Sequence, residues 1–344
     1  MHFGSDTTAP AHPAVLEALA RANTGYESSY GNDALTGRLR ALLTETLDTE
    51  DFDYWLVASG TAANALALSC FCPSTGAILC HEEAHIERDE RGAPGFFSGG
   101  ASLRLLPGHG AKIDPAAFEA AIVANNPDFV HETPLYALSL TNLTECGTLY
   151  SGAEIAAFAQ RAKSAGLAVH LDGARLSNAL ASTGARVSQL SWTCGVDVLT
   201  LGLTKTGAIG CELIVLFGKA REKFPELRVR AKRAGHMPPK MRYLAAQAEA
   251  MLTAGLWLEL AGHANAMAAQ LSSVFSASGV DHAYPSQGNE VFVNLTPGQI
   301  ASLRAQGAAF LEWPSGSCRF VCCWTTTQAD LRALGAALAH AAKR

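Results

Sequence analysis

The chain has 344 residues, 49% of them hydrophobic and 17% charged, with a net charge of −5 and a sequence pI of about 6.1. That composition supports a large core and about two globular domains, and it argues against nucleic-acid and membrane-surface partners, which select a basic face. No apolar stretch approaches the roughly 18 residues of a membrane span, and the opening MHFGSD lacks the charged-then-apolar pattern of a secretory leader. The nine cysteines form no CxxC pair and several sit inside apolar runs. The expectation is free thiols in a reducing, cytoplasmic setting.

Residues 1–14 hold two prolines and no apolar period, and read as an extended arm in which Ser5 and Asp6 are short polar anchors. A helix follows from Pro13 to Arg21. Tyr30-Gly31-Asn32-Asp33 is a turn signal, and a second helix runs from Leu35 to Leu47. Tyr54 to Val57 reads as a strand that enters Ser59-Gly60-Thr61 and an Ala/Leu helix, Ala62 to Ser69. A strand, a glycine turn and a helix start form an anion site, because free backbone N–H groups and the helix dipole both favour a phosphate there.

Ala77 to Cys80 is the next strand, and His81-Glu82-Glu83-Ala84-His85 after it matches HExxH. A zinc hydrolase carries that pattern inside an amphipathic helix. Here it follows a strand directly and runs on into a charged, then glycine-rich stretch, so His85 is read as a single functional ring at a strand end. Further strands are expected at Ala101–Leu106, Tyr136–Leu140 and Glu212–Phe217, and helices at Ile113–Val123 and Gly152–Gly166. The alternation from residue 54 to 217 predicts an α/β fold with a mostly parallel sheet, in which Glu212–Phe217 runs antiparallel to its predecessor. Arg228, Arg230, Lys232 and Arg233 cluster on a helix. One long helix is expected from Met241 to Leu271, then strands at Glu290–Leu295 and Cys318–Trp324 and a last helix from Gln328 to Lys343. The expected division is an arm over 1–14, a large domain over 15–249 and a small α+β domain over 250–344.

The most informative stretch is His170 to Gly207. The run Leu167–Leu171 ends on Asp172, and the run Val196–Leu201 leads through Gly-Leu-Thr to Lys205. Ligands of open α/β sheets sit outside the carboxyl ends of the strands. An acid and a lysine 33 residues apart (205 − 172) are therefore delivered to the same place. Pyridoxal phosphate requires both: a lysine for its Schiff base and a carboxylate to keep its ring nitrogen protonated.

With these motifs assembled, the chain resembles the low-specificity L-threonine aldolases, pyridoxal-phosphate enzymes of the aspartate-aminotransferase fold type in the β-eliminating lyase group. SDTTAP, YGNDALTGRL, SGTAANALAL, HEEAHIERDERGAP, HLDGARLSNA, LTKTG and RFVCCW carry the resemblance along essentially the whole chain. It implies a seven-stranded sheet in the large domain and a homo-oligomer, dimer or tetramer, with shared active sites. It implies that Lys205 holds the cofactor, Asp172 pairs with its ring nitrogen, Gly60 and Thr61 cradle its phosphate and His85 stacks on its ring. Ser5, Arg175 and Arg319 are implied to hold the substrate carboxylate, and His131 to be a second active-site histidine. Tyr30 is implied to approach the site from a neighbouring subunit, with Lys232 reaching the phosphate. The implied reaction cleaves threonine, allo-threonine or a bulkier β-hydroxy amino acid such as phenylserine to glycine and an aldehyde, with His85 or His131 as the base. An aminotransferase, a β-eliminating lyase or a racemase of the same fold shares Lys205 and Asp172. A module that only stores the cofactor is a further alternative. The sequence GTAAN, where the family often has GTMAN, leaves the phosphate contacts intact. The segment from Pro134 to Cys146, which differs from better-known members, shapes the substrate's side-chain pocket.

Overall fold

The structure is a computed structural model that describes residues 1–341. After the arm, helices α1 (Pro13–Ala22) and α2 (Ala34–Leu47) precede strand β1 (Phe52–Val57), helix α3 (Gly60–Ser69) and strand β2 (Ala77–His81). Two short helices, α4 (His85–Arg88) and α5 (Ala93–Ser98), lead to β3 (Ser102–Leu106), α6 (Pro115–Ala124), β4 (Leu135–Thr141) and α7 (Gly152–Ser164). Then come β5 (Ala168–Gly173), α8 (Leu176–Thr183), β6 (Val198–Gly202) and β7 (Glu212–Phe217). Helices α9 (Phe224–Arg233), α10 (Arg242–Leu252) and α11 (Leu256–Ala277) lead to the last part: β8 (Glu290–Val293), α12 (Pro297–Ala305), β9 (Leu311–Glu312), β10 (Cys318–Val321) and α13 (Gln328–Ala341).

Local chemistry sets the helix starts. Asp33 caps α2 by accepting the Thr36 N–H at 2.8 Å, Ser59 caps α3 through the Ala62 N–H at 3.3 Å, and Ser151 with Glu154 forms a capping box on α7. Pro13 and Pro115 occupy first-turn positions, where a missing N–H removes no helical bond.

The large sheet has the strand order β1-β7-β6-β5-β4-β2-β3. Strands β2 to β6 pair in parallel, and β7 lies antiparallel between β6 and β1. Strands β2, β6 and β7 are buried along their whole length. This is why they read as continuous apolar runs rather than alternating ones. The carboxyl ends of β1, β2, β4, β5 and β6 share one edge, with the first residue of β7 beside them. The seven strands and the antiparallel β7 agree with the sequence reading.

Four differences have local causes. The long helix expected from Met241 to Leu271 is broken at residues 253–255, where Ala254 (φ 52°) and Gly255 (φ 71°) are left-handed. A right-handed helix cannot pass through such a pair; Gly255 is the one local sign of the break, and the apolar residues on both sides of it mask it. The charged and glycine-rich stretch after His85 holds α4 and α5, which are too short to show a helical period. Helices α8 and α12 and the two-residue β9 were not expected from periodicity. His131 falls in the connection between α6 and β4, at the amino end of the sheet. It is exposed and packs edge-to-face on Phe129.

Two cores form. The first surrounds the large sheet. The second is built from α11, β8, β10, α12 and α13. Helix α11 supplies Trp257 and Leu260 to the first and Met267, Leu271 and Phe275 to the second. The arm belongs to the second core. Phe3 is 0% exposed, its N–H donates to Ala309 O at 2.8 Å and its carbonyl accepts from Val321 N at 2.8 Å. Burying that ring stabilises the arm by roughly 1.5–3 kcal/mol. Among the described residues no helix is long and apolar enough to cross a membrane.

The ends of β5 and β6 approach closely beside the acid and the lysine. A Cβ on Gly202 would lie 2.6 Å from Ala174 O and 2.7 Å from Ala174 Cα. Gly202→Ala is therefore expected to cost about 1–3 kcal/mol through overpacking. A urea midpoint equal to that of the wild type would contradict this.

Candidate active site

At the carboxyl edge, a cavity of about 230 Å³ is lined by Thr7, Ser59, Gly60, Thr61, Asn64, His85, Asp172, Thr204, Lys205 and Glu212, among others. Residues far apart in sequence meet here because the parallel strands deliver their following loops to one edge. Asp172 and Thr141 are cross-strand partners, as are Asp172 and Thr200. Gly202, three residues before Lys205, stands opposite Glu212.

Asp172 is 2% exposed. Its Oδ1 accepts from Ala174 N at 2.9 Å, and its Oδ2 accepts from Asn64 Nδ2 at 2.8 Å. The same Asn64 nitrogen donates to Glu90 Oε1 at 2.9 Å. Glu90 Oε1 in turn faces His85 Nδ1 at 2.8 Å. A chain of bonds thus runs from the acid of β5 through α3 to the half-buried imidazole of α4. Burial would lower the His85 pKa, but the bond to Glu90, with Asp172 adding to it, raises it above the ordinary 6.5. Nε2 of His85 has no hydrogen-bond partner among the described residues. The His85 backbone N–H is held by Glu145 Oε1 at 2.8 Å. Glu145 also accepts from Thr141 Oγ1 at 2.9 Å, and its carboxyl is pushed up to about 7 by burial.

Lys205 is half-buried on a short 3-10 turn, Thr204–Thr206, and forms no ion pair or hydrogen bond among the described residues. An amine free beside a buried acid, an imidazole and the start of a ten-residue helix is the donor set that pyridoxal phosphate requires. The residues present fit that group. His81 turns elsewhere: its Nδ1 accepts from Glu83 N at 2.9 Å and its Nε2 lies 3.3 Å from Gly108 O. Among the described residues, no three or more His, Cys, Asp or Glu side chains gather to hold a metal.

Arg175 lies beside the cavity, 8% exposed. Asp6 holds it in a fork: Nε donates to Oδ2 at 2.8 Å and Nη2 to Oδ1 at 3.1 Å. Glu290 Oε1 lies 3.4 Å from Arg175 and 3.5 Å from Arg319. Nε of Arg319 has no partner among the described residues. The Ser5 hydroxyl caps the first turn of the arm by accepting the Thr7 N–H at 3.2 Å; it is Thr7, not Ser5, that lines the cavity. Tyr30 and Lys232 meet each other, with Nζ 4.2 Å from the ring centre. They lie on an exposed surface and do not line the cavity of their own chain.

His131 requires a correction. Strand β4 runs parallel to β5, so the loop before Leu135 is at the opposite edge from Asp172. The six residue steps from Leu135 to Thr141 span about 20 Å. The place beside His85 is taken by Glu145.

Sequence reading missed Asn64, Glu90, Glu145, Glu212 and Glu290. Two of them carried a signal. Glu212 and Glu290 are charges at the head of otherwise apolar strands. Asn64 and Glu90 sit in helical and loop contexts where a polar residue is ordinary.

Residues 2–297 match the beta-eliminating lyase family. The low-specificity L-threonine aldolase of Pseudomonas sp. strain NCIMB 10558 is 38% identical over 97% of this chain and 96% of its own length. That of Pseudomonas aeruginosa is 38% identical over 96% and 95%. The threonine aldolase structure from Leishmania major superposes with a TM-score of 0.91 at 27% identity, covering 98% of both chains. Together with the cavity, these matches define a pyridoxal-phosphate-dependent carbon–carbon lyase with the aspartate-aminotransferase-like fold. Within that class, the chain belongs to the low-specificity L-threonine aldolases.

Two outcomes follow from the hydrogen bonds. Glu90→Gln should lower the His85 pKa, because a neutral amide no longer favours the imidazolium; His85 Cε1–H chemical shifts titrated in the apoprotein read this, and an unmoved midpoint contradicts it. Asp6 lies below its ordinary 3.8: burial would raise it, but Arg175 and Lys205 outweigh burial. A depressed carboxyl stabilises the fold fully above its unfolded pKa, and the contribution is lost as pH falls through the folded one. Wild type should therefore lose more stability than Asp6→Asn between about pH 5 and pH 3, measured as urea midpoints.

Proposed function

We propose that the protein cleaves L-threonine, L-allo-threonine or a related β-hydroxy-α-amino acid, phenylserine included, to glycine and an aldehyde. The observation that carries the reading is the meeting of Lys205, Asp172, His85 and the Ser59–Thr61 helix start around one cavity. Pyridoxal phosphate bound there supplies an electron sink for the charge released when the Cα–Cβ bond breaks.

The chain's own groups do the rest. Lys205 is the attachment point. Asp172 places a fixed negative charge for the ring nitrogen, held in orientation by Asn64 and the Ala174 N–H. Gly60 and Thr61 offer the phosphate the free N–H groups and positive dipole end of α3. Arg319, with a free Nε, receives the substrate carboxylate, and Arg175, whose own fork Asp6 already holds, adds positive charge to the same wall. Ser5 sets the turn that brings Asp6 to Arg175. His85 is the base: Glu90 occupies Nδ1, so Nε2 is the atom left to take the β-hydroxyl proton. A pKa raised by Glu90 strengthens it as an acceptor near neutral pH.

We further infer a cytoplasmic homo-oligomer in which Tyr30 and Lys232 of one subunit reach the cofactor phosphate of the next. Their exposure, and their absence from their own chain's cavity, support this arrangement.

The test is aldehyde release from L-threonine by the pyridoxal-phosphate-loaded protein. Lys205→Ala should abolish it, and with it the visible absorbance of the loaded protein. His85→Ala should reduce kcat by about 10²–10⁴-fold, while His131→Ala keeps the wild-type rate. No aldehyde from any of the three amino acids would reject the assignment.

A further inference from the structure

Glu212 also lines the cavity, and the reading above gives it no task. It heads a six-residue strand whose other members are Leu, Ile, Val, Leu and Phe. It is 4% exposed. Burying an ionisable carboxyl is costly unless it is paired or hydrogen-bonded. The register shows where this one is aimed. Glu212 stands opposite Gly202 on one side and Val57 on the other. Strand β6 leads from Gly202 into the Lys205 turn, and β1 leads from Val57 into the Ser59–Thr61 helix start. The carboxyl therefore sits between the two anchors of the cofactor. Its Oε2 accepts from Leu203 N at 3.2 Å, and the Thr204 side chain lies close enough to lower its pKa. Leu203 and Thr204 are the two residues before the lysine.

The titratable groups that bear on Glu212 are Lys205 from the turn, Asp172 from β5 and Cys211 beside it in the chain. Strand β1 presents Val57, and the start of α3 is uncharged. Burial pushes the Glu212 carboxyl up to about 7. The Thr204 hydroxyl, the Lys205 ammonium and the Leu203 N–H hold it down, and Asp172 adds to the rise.

From this placement we infer that Glu212 is the proton acceptor that neutralises Lys205 for cofactor attachment and returns the proton on release, while its hydrogen bond from the Leu203 N–H fixes the turn that carries the lysine. The inference rests on the reading of Lys205 as the attachment point. An ammonium has no lone pair with which to attack a carbonyl carbon. Lys205, unpaired at rest, shares the cavity with Glu212; when its side chain turns to the carboxylate, one proton passes from Nζ to Glu212, the nitrogen keeps the bonding pair, and a separate ammonium and carboxylate become an amine and a carboxylic acid. Net charge is unchanged and no other reactant is needed. The neutral acid also removes a like charge from beside the phosphate cradle.

The test is pyridoxal-phosphate uptake by the apoprotein, followed as visible absorbance across pH. Glutamine keeps the size of the side chain and still accepts the Leu203 N–H, but it cannot take a proton. Glu212→Gln should slow uptake at neutral pH by about tenfold or more and shift the rate profile to higher pH, with Glu212→Asp partly restoring it. A wild-type rate and profile in Glu212→Gln would overturn the inference. A second readout does not require the glutamine variant to load. In glutamate-¹³Cδ-labelled apoprotein, Glu212 should titrate near neutrality, and higher still in Lys205→Ala, where the ammonium is gone. Titration at the ordinary 4.5, or indifference to Lys205→Ala, would equally overturn it. Wild type that takes up no pyridoxal phosphate would instead remove the reading of Lys205 on which the inference stands, while leaving the Glu212 titration measurable.

Discussion

A carboxylate taken out of water must be given hydrogen-bond donors or a cation, or it will be protonated instead. Asp172 sits at the carboxyl end of a central parallel strand and is almost fully buried. Its donors are the Ala174 N–H and the Asn64 amide. That requirement propagates. Asn64 satisfies Asp172 only if α3 docks at one height above the sheet. The same docking sets the helix start at the cavity and lets the second amide hydrogen reach Glu90, which orients His85. One buried charge thus couples the strand, the helix and the imidazole into a single arrangement.

A second group of charges ties the chain's two ends to its middle. Arg175 follows β5, Asp6 comes from the arm, and Glu290 and Arg319 come from neighbouring strands of the small sheet. Removing one partner from such a buried set leaves an uncompensated charge, which costs about 3–5 kcal/mol. The arm has little secondary structure of its own, but it is fixed at both faces, with Phe3 in the C-terminal core and Asp6 on the arginine. The site is therefore completed by segments almost 300 residues apart, as in the bond from Asn289 to Asp6, with a separation of 283.

The class of fold was legible because parallel strands buried on both faces spell continuous apolar runs, and because Gly, Pro, Ser and Asp mark their ends. The lysine, the acid and the helix start were legible because the edge on which strand ends gather is a property of the topology. The break at Ala254 was missed because the apolar residues continue on both sides of it, although Gly255 beside it is a residue that commonly ends helices. His131 was misplaced for a related reason. A resemblance aligns residues along the chain, while its place at the amino edge follows from the direction of β4. The group that stands beside His85 is a glutamate, Glu145, outside any histidine pattern.

The sequence by itself determined the sheet, the direction of its strands and the arrival of Asp172, Lys205 and His85 at one edge. These depend on short-range patterns: apolar runs, caps and the length of crossover connections. Only the tertiary structure decided how those groups are oriented and what surrounds them. Asn64, Glu90, Glu212 and the Asp6–Arg175 pair act on them across distances in sequence that no periodicity records. The strength of each action depends on burial, which lowers the local dielectric and turns an ordinary polar contact into one that sets a protonation state.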